Sequence, residues 1–347
     1  MRALAITCVK NEGAFLLEWL AHHRALDFTD FLIYSNDCSD GTDAMLDRLQ
    51  DLGWLTHIRN DGPHEKGPQW AMLKNAEQHP LTLAAAWVMV LDVDEFVNIH
   101  AGCKTLGDLL AALPSADAIT LTWRVFGNGG AVEMCDAPVT TSFTLAAPVT
   151  LGWPWRAQMF KTLTRGPAHG PFAKLGVHRP RNAKDGASPR WYDGAGRALG
   201  GEFAGGRVFS DYTQDNYALA QLNHYPLGSI ENYLVKADRG RANREASGFD
   251  MGYWIERNLN EVKDTSIAGL DSQSLRAALH ADPVLGGLHK RAFAWRKARF
   301  AELMQQEPWR ALYGRLRMAA PSRALSADEA REITRHIPQV QDKGISS

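Results

Sequence analysis

Apolar and polar positions along the first hundred residues alternate between two periods. Ala3–Val9 is an unbroken apolar run that stops at Lys10, Asn11 and Glu12, the pattern of a strand buried on both faces. Glu12 to Leu26 then places Phe15, Leu16, Trp19, Leu20 and His23 at helical spacing. Phe31–Ser35 is a second apolar run, opening into the turn-rich stretch Asn36-Asp37-Cys38-Ser39-Asp40-Gly41-Thr42. Thr42 or Asp43 is placed to cap a helix running through Leu46 and Leu49. Leu55–Ile58 reads as a third strand, and Gln69 to His79 as a helix stopped by Pro80. Trp87–Leu91 is a fourth, strongly apolar strand running into Asp92-Val93-Asp94-Glu95-Phe96. Strands and helices alternating at this spacing predict an α/β fold with a parallel sheet. Ligands of such sheets bind beyond the carboxyl ends of the strands. Those ends carry three polar clusters: Lys10 to Glu12, Asn36-Asp37, and Asp92 to Glu95.

Further along, the pattern changes. Ala118–Trp123 reads as a strand, followed by the glycine-bearing loop Phe126-Gly127-Asn128-Gly129-Gly130. Residues 164–206 are rich in Gly, Pro and Arg and predict loops with short strands. Gln221 to Pro226 reads as a strand ending at a turn, and from Ser229 onward the pattern is helical, with 270–335 largely helix.

Composition acts mainly by exclusion. The 347 residues, 45% apolar and 22% charged, are enough for a substantial core and unlike a disordered chain. The 38 basic and 39 acidic residues leave a formal net charge of −1, so no nucleic-acid partner is expected. Cys8, Cys38, Cys103 and Cys135 are scattered, which predicts free thiols rather than a zinc site or disulfides. The opening apolar run is too soon interrupted for a signal peptide. The longest apolar stretch, Leu81 to Leu91, falls short of the ~20 residues of a spanning helix. A cytoplasmic location is the expectation.

Asp92-Val93-Asp94 is the sharpest chemical feature. On an extended backbone residues two apart project to one side, so both carboxylates face one ligand. Two hard oxygen donors so placed suit Mg²⁺ or Mn²⁺, with room for water and phosphate oxygens. A dication bridging a diphosphate neutralises the charge that builds on a departing phosphate. The competing reading is a solvated acidic turn; the position after a buried parallel strand favours the ligand reading.

Lys10-Asn11-Glu12, Glu18-Trp19, the Asn36 to Thr42 loop, Leu91 to Phe96, Phe126-Gly127 and His224-Tyr225 follow one another in a telling order. Together they resemble the bacterial family-2-like glycosyltransferases, a branch related to eukaryotic proteins with a D-x-D-E-F sequence. The resemblance spans roughly residues 3 to 245. It implies a GT-A fold, a nucleotide diphosphate-sugar donor (a UDP or GDP sugar), a divalent metal and inversion at the anomeric carbon. It also implies a glycan or lipid-linked acceptor, in surface polysaccharide biosynthesis. The organisation expected is a catalytic domain over 1–245, with a nucleotide-binding half 1–100 and an acceptor half 101–245. A helical extension over 246–335 and a frayed tail over 336–347 follow.

Position by position, the resemblance implies that Asp94 binds the metal directly and that Asp92 touches the ribose, or the metal through water. Val9, Asn11 and Glu12 would line the nucleotide pocket, and Asn36 or Asp37 would meet the base. Ser39 and Asp40 have turn and helix-cap chemistry as a competing role. His224 would complete the metal shell, since neutral imidazole suits Mn²⁺. Lys236, Arg239 and Arg241 would clamp the diphosphate, Arg with two-pronged contacts. An inverting transfer needs a base at the acceptor hydroxyl. Glu133 and Asp136, beyond the Gly127–Gly130 loop, and Glu95, beside the metal pair, are the candidates, with Glu133 favoured.

Trp153-Pro154-Trp155 either stacks on sugar faces or plugs the space between layers. The basic C-terminal segments 289–291, 296–299 and 315–317 alternate with Phe293, Trp295, Phe300 and Trp309. They read as a helical lid, or as a peripheral contact with the inner face of a membrane. A nucleotidyltransferase is disfavoured, because Val9 to Gly13 has one glycine and an acidic residue where a triphosphate needs a glycine-rich basic loop. A dehydrogenase would need GxGxxG there. A catalytically degenerate nucleotide-sugar-binding module would be expected to lack Asp92 and Asp94.

Overall fold

The apolar runs become the middle of a sheet in the computed structural model of the chain, which describes residues 1–200, 203, 206–211, 213–240 and 250–336. β1 (Ala3–Val9), β2 (Asp30–Ser35), β3 (Thr56–Arg59) and β4 (Trp87–Val90) lie parallel in the order β4-β1-β2-β3. The helices α1 (Leu16–Ala25), α2 (Thr42–Asp51), α3 (Pro68–Ala76) and α4 (Pro80–Ala84) connect them. Two local expectations change. α2 is capped by Gly41 in the left-handed region, at φ 90°, while the Thr42 hydroxyl accepts from the Glu12 N–H instead. Pro80 opens α4, because the first helical position needs no N–H, and His79 caps it by accepting from the Leu81 N–H.

β5 (Glu95–Ile99) and α5 (Leu106–Ala112) follow, then β6 (Ala118–Val125), buried along its whole length. α6 (Val139–Ser142), β7 (Leu145–Ala146) and β8 (Phe160–Arg165) come next. β8 wedges between β4 and β6, antiparallel to both. The short strands β9 (Phe172–Lys174), β10 (Arg181–Ala183), β11 (Trp191–Asp193) and β12 (Ala198–Leu199) fill the Gly- and Arg-rich middle. β13 (Ala220–His224) lies parallel to β6 and antiparallel to β5. The result is the expected α/β architecture, a mostly parallel central sheet flanked by helices.

The C-terminal part comprises α7 (Ile230–Arg239), α8 (Met251–Ile255), β14 (Val262–Lys263), α9 (Gln273–Ala281), α10 (Pro283–Leu303), α11 (Glu307–Met318) and α12 (Ala327–Arg335). These helices share the main core: Leu279, Leu285 and Leu288 pack in one cluster with residues of β1, α1, β5 and β6. Phe293, Trp295, Phe300 and Trp309 pack inward around Met134, Val235 and Leu303, as a lid requires. Among the described residues no helix is long and apolar enough to cross a membrane. The expected frayed tail lies, apart from His336, outside the described residues.

His22 and His23 sit in that core. His22 Nε2 bonds the Val97 carbonyl at 2.7 Å, and burial lowers its pKa to about 4 from 6.5. A histidine whose folded pKa is depressed stabilises the fold above its unfolded value, and loses that contribution as pH falls towards the folded one. The shift corresponds to on the order of 3 kcal/mol. The melting temperature is therefore expected to drop between pH 6.5 and about 4. A His22→Gln variant should lose part of that slope, measured by thermal denaturation across a pH series.

Candidate active site

β4 ends at Val90, and the chain must reverse before β5 can pair with β13. Asp92 to Glu95 is therefore a turn, closed by the Glu95 N–H on the Asp92 carbonyl at 3.1 Å, and not the extended segment the sequence suggested. Buried Trp19 fixes it from below: its indole N–H reaches the carbonyls of Asp92 at 3.1 Å and Glu95 at 3.0 Å. The neighbouring Glu18 carboxylate accepts from the Val139 and Thr140 N–H groups and caps α6.

Glu95 has no exposed surface. Its oxygens accept from the Asp92 N–H at 2.9 Å and from the Trp123 indole at 2.7 Å. Lys161 Nζ, equally buried on β8, lies 2.9 Å from Asp92 Oδ2 and 3.4 Å from Glu95 Oε2. Burial pushes the Glu95 carboxyl up to about 8; Lys161 pulls the other way, and the charges of Asp92 and Asp94 add to the rise. With both oxygens engaged and no path to solvent, Glu95 holds the turn and is not placed to take a proton from an acceptor.

Asp94 faces the other way. Lys236 Nζ donates to its Oδ2 at 2.6 Å and to the Pro226 carbonyl at 2.7 Å, and His224 Nε2 lies 3.7 Å off. Burial opposes its charge, but Lys236 and His224 outweigh it and hold the carboxyl well below the usual range. Burial lowers the His224 pKa, favouring neutral imidazole, against the pull of Asp94. Its Nδ1 is buried without a partner among the described residues.

Asp92, Asp94, His224, Lys236, Arg239 and Glu12 all line one cleft of about 830 Å³. Arg239 is paired with Glu12 and donates to the Lys10 carbonyl at 2.7 Å. Four predicted nucleotide contacts are not among the residues facing this cleft. Val9 is buried, and its carbonyl accepts from the Asn36 backbone N–H at 2.9 Å and side-chain amide at 3.3 Å. Asn11, at φ 54°, turns its side-chain oxygen to the Ser39 N–H at 2.7 Å. Asn36 is buried, and Asp37 is exposed beside Asp61 and Gly62. Cys8, Lys10 and Gln69 face the cleft on that side instead. Asp40 is a buried staple: its oxygens accept from the N–H groups of Gly13 and Thr42. Arg241 lies outside the described residues.

Of the base candidates, Asp136 bonds His289 at 2.7 Å and lines neither this cleft nor its neighbour. Glu133 lines a smaller cavity, about 120 Å³, that shares Asp94, Lys236 and Arg239 with the cleft. Trp153 and Trp155 pack edge-on against each other, 4.5 Å between centroids, and neither is among the cleft-lining residues. The aromatic wall is Trp123, tilted against His224 at 4.2 Å and edge-on at 5.6 Å to His178.

Lys161, Trp123, His178, Glu256 and Arg257 complete the cleft region without having been singled out in the sequence. For Lys161 a signal existed, since a lone lysine inside the strand pattern Phe160–Arg165 has to meet a buried acid. One other arrangement invites misreading. Ser35 Oγ, His57 and Asp47 are joined at 2.8 and 2.6 Å in the order of a nucleophilic triad. Ser35 is fully buried and lines neither the cleft nor its neighbouring cavity, so these bonds tie β2 to β3 and α2.

Residues 5–143 match the model of glycosyltransferase family 92. A family 92 protein of Oryza sativa subsp. japonica is 28% identical over 151 residues, 41% of this chain and 24% of the relative. One of Ricinus communis is 27% identical over 146 residues, 40% of this chain and 25% of the relative. The chain thus spans about a quarter of the length of the curated relatives it matches. Among solved structures, S. aureus TarS aligns at TM-score 0.31 and 17% identity over 48% of this chain and 29% of that one. HddC of Yersinia pseudotuberculosis aligns at TM-score 0.29 and 8% identity over 51% and 84%. These overlaps are too partial to carry an argument about function.

Removing one partner of a buried ion pair leaves the other charge stranded, at a cost of about 3–5 kcal/mol. Lys161→Met is expected to destabilise the fold by that order, read by urea denaturation above the pH of about 8 at which the Glu95 carboxyl ionises. Wild-type stability in the variant would mean that Glu95 is neutral and needs no counter-charge.

Proposed function

We propose that the chain is a glycosyltransferase with a GT-A-type site, which moves a sugar from a nucleotide diphosphate donor bound in the cleft at Asp92 and Asp94. The observation that carries this reading is a coincidence of place. The stretch matching glycosyltransferase family 92 contains the Asp92–Phe96 turn, and that turn opens onto a cleft whose remaining wall supplies Lys236, Arg239 and His224. A diphosphate needs such a set, with cations for its oxygens and carboxylates for a bridging dication or the ribose.

The donor set at Asp94 suits Mn²⁺ or Mg²⁺. Asp94 and His224, with Oδ2 and Nε2 3.7 Å apart, would hold such an ion. Among the described residues no three His, Cys, Asp or Glu side chains gather round one point, so the protein would supply only part of the ion's ligands. Bound there, the ion would neutralise charge on the departing diphosphate. Lys236 stands against Asp94 in the same place, and turns to the phosphates when the carboxylate is otherwise engaged.

In the transfer, the acceptor hydroxyl oxygen bonds to the anomeric carbon as the bond from that carbon to the diphosphate breaks, its electron pair leaving with the diphosphate. The hydroxyl proton passes to a carboxylate. Glu12, Asp92 and Asp94 are each paired with a basic side chain. Asp250 caps α8 through the Tyr253 N–H. Glu256 is also paired, with the adjacent Arg257, but at 3.2 Å it is the most loosely held of these carboxylates that face the cleft, and we assign it the base role. Glu133 is the second candidate, on the side of the smaller cavity. A glycan or lipid-linked acceptor fits the open far wall with its Trp123 face.

Two measurements test this reading. Wild-type melting temperature should rise with UDP or GDP only when Mn²⁺ is present, and the rise should vanish in Asp94→Ala. Saturation at 100 times Kd adds about 2.7 kcal/mol. No shift with any of UDP, GDP, CMP, ATP or NAD plus metal, in folded protein, would turn the reading to a non-catalytic module. Once donor and acceptor are found, Glu256→Gln should lower kcat by about a hundredfold or more with the donor KM little changed. If Glu133→Gln shows that loss and Glu256→Gln does not, the base lies in the smaller cavity.

A further inference from the structure

Arg296 lies on α10, far outside the stretch matched by the family model, and is 4% exposed. Its Nη1 donates to the Asn11 carbonyl at 3.3 Å, its Nε to Asn232 Oδ1 at 3.1 Å, and its Nη2 to the Asn232 carbonyl at 3.4 Å. The guanidinium lies 4.8 Å over the Phe15 ring. A buried arginine ordinarily meets a carboxylate. Among the described residues none forms an ion pair with this one; Glu12 is held by Arg239. Burial lowers its pKa to about 10, which still leaves it charged at neutral pH.

What the three hydrogen bonds join is informative. Asn11 lies in the turn after β1 in the left-handed region, φ 54°, a conformation asparagine tolerates better than most residues. Its carbonyl turns to Arg296 while its side chain holds Ser39. Asn232 is in the first turn of α7, the helix that carries Lys236 and Arg239 into the cleft. Packing leaves no slack, because a Cβ on Gly13 would stand 2.8 Å from the Cβ of Ala292 on α10. One guanidinium thus clamps the turn after β1 to the start of α7, the helix whose far end reaches the same turn through Arg239.

We infer that Arg296 is a positioning residue of the donor site, through which α10 sets the spacing between Lys10 and Glu12 on one side and Lys236 and Arg239 on the other for a nucleoside diphosphate. The inference rests on the donor-site reading above. Lysine in its place keeps the charge and loses the fork that reaches both asparagines. Misplacing the opposed groups by a fraction of an ångström weakens a multipoint contact steeply.

The test compares wild type, Arg296→Lys, Arg296→Met and Arg299→Ala. The last loosens the same helix at its ion pair with Asp238, 2.8 Å, without touching Asn11. Each is measured for melting temperature, for affinity to UDP and GDP with Mn²⁺ by calorimetry, and for donor KM and kcat. Both Arg296 variants are expected to weaken the nucleotide about tenfold or more and raise donor KM more than they lower kcat. Arg299→Ala should bind the nucleotide as wild type does, whatever its melting temperature. Should Arg296→Met fail to fold, Arg296→Lys and Asn232→Ala carry the comparison. Wild-type affinity in the Arg296 variants, or an affinity loss that merely tracks melting temperature across all of them, overturns the inference. If wild type itself binds no nucleotide, the donor-site reading falls, and this inference with it.

Discussion

An ammonium group with no exposed surface, Lys161 Nζ, sits between Asp92 and Glu95 where β8 crosses between β4 and β6. An unpaired charge in that position costs several kcal/mol, so the strand can insert there only if acids meet it. Glu95 meets it from inside and in turn takes the Trp123 indole and the Asp92 N–H, which fixes the shape of the turn after β4. With the turn fixed, β5 leaves in the direction that pairs it with β13, and β13 brings His224 beside Asp94. The antiparallel strand that interrupts the parallel order, and the site at its end, are therefore one solution to one electrostatic constraint.

The two carboxylates of the turn are treated differently by their surroundings. Asp92 is tied to the sheet through Lys161, whereas Asp94 looks out to Lys236 and His224 on the later elements. This asymmetry suits a site with a fixed half and a half assembled from parts far along the chain. The fixed half is the β1, β2 and β4 ends. The assembled half is α7, α8 and β13, and α10 holds the first of these against the β1 end through Arg296. It also explains why the C-terminal helices share a core with the sheet instead of forming a separate body.

Much of the first half was legible in the chain itself. Apolar runs as compact as Ala3–Val9 and Trp87–Leu91 have few alternatives, and polar clusters that follow them mark strand ends whatever the connections. The same reasoning assigned the wrong work to several polar residues. Asn11, Asn36 and Asp40 stand at the ends of β1 and β2 as expected, yet their side chains hold the two loops together. Side chains that bind a ligand and side chains that bind a neighbouring loop are of the same types, and only the loop's position separates them. Pro80 misled for a similar reason, since the residue that ends one helix is also favoured at the start of the next.

Sequence by itself determined the parallel half of the sheet, the Asp92–Glu95 cluster at its edge and the helical character of the C-terminal segment, because local periodicity and composition decide these. Tertiary structure alone decided that the cluster is a turn, that Glu95 is a buried anchor, that Lys161 and Trp123 meet it, and that Arg296 joins α10 to Asn11 and Asn232. Each of those roles depends on contacts between residues tens to hundreds of positions apart. A carboxylate's work, as ligand, base or counter-ion, is set by what stands within a few ångströms of it, and that is a property of the packed chain.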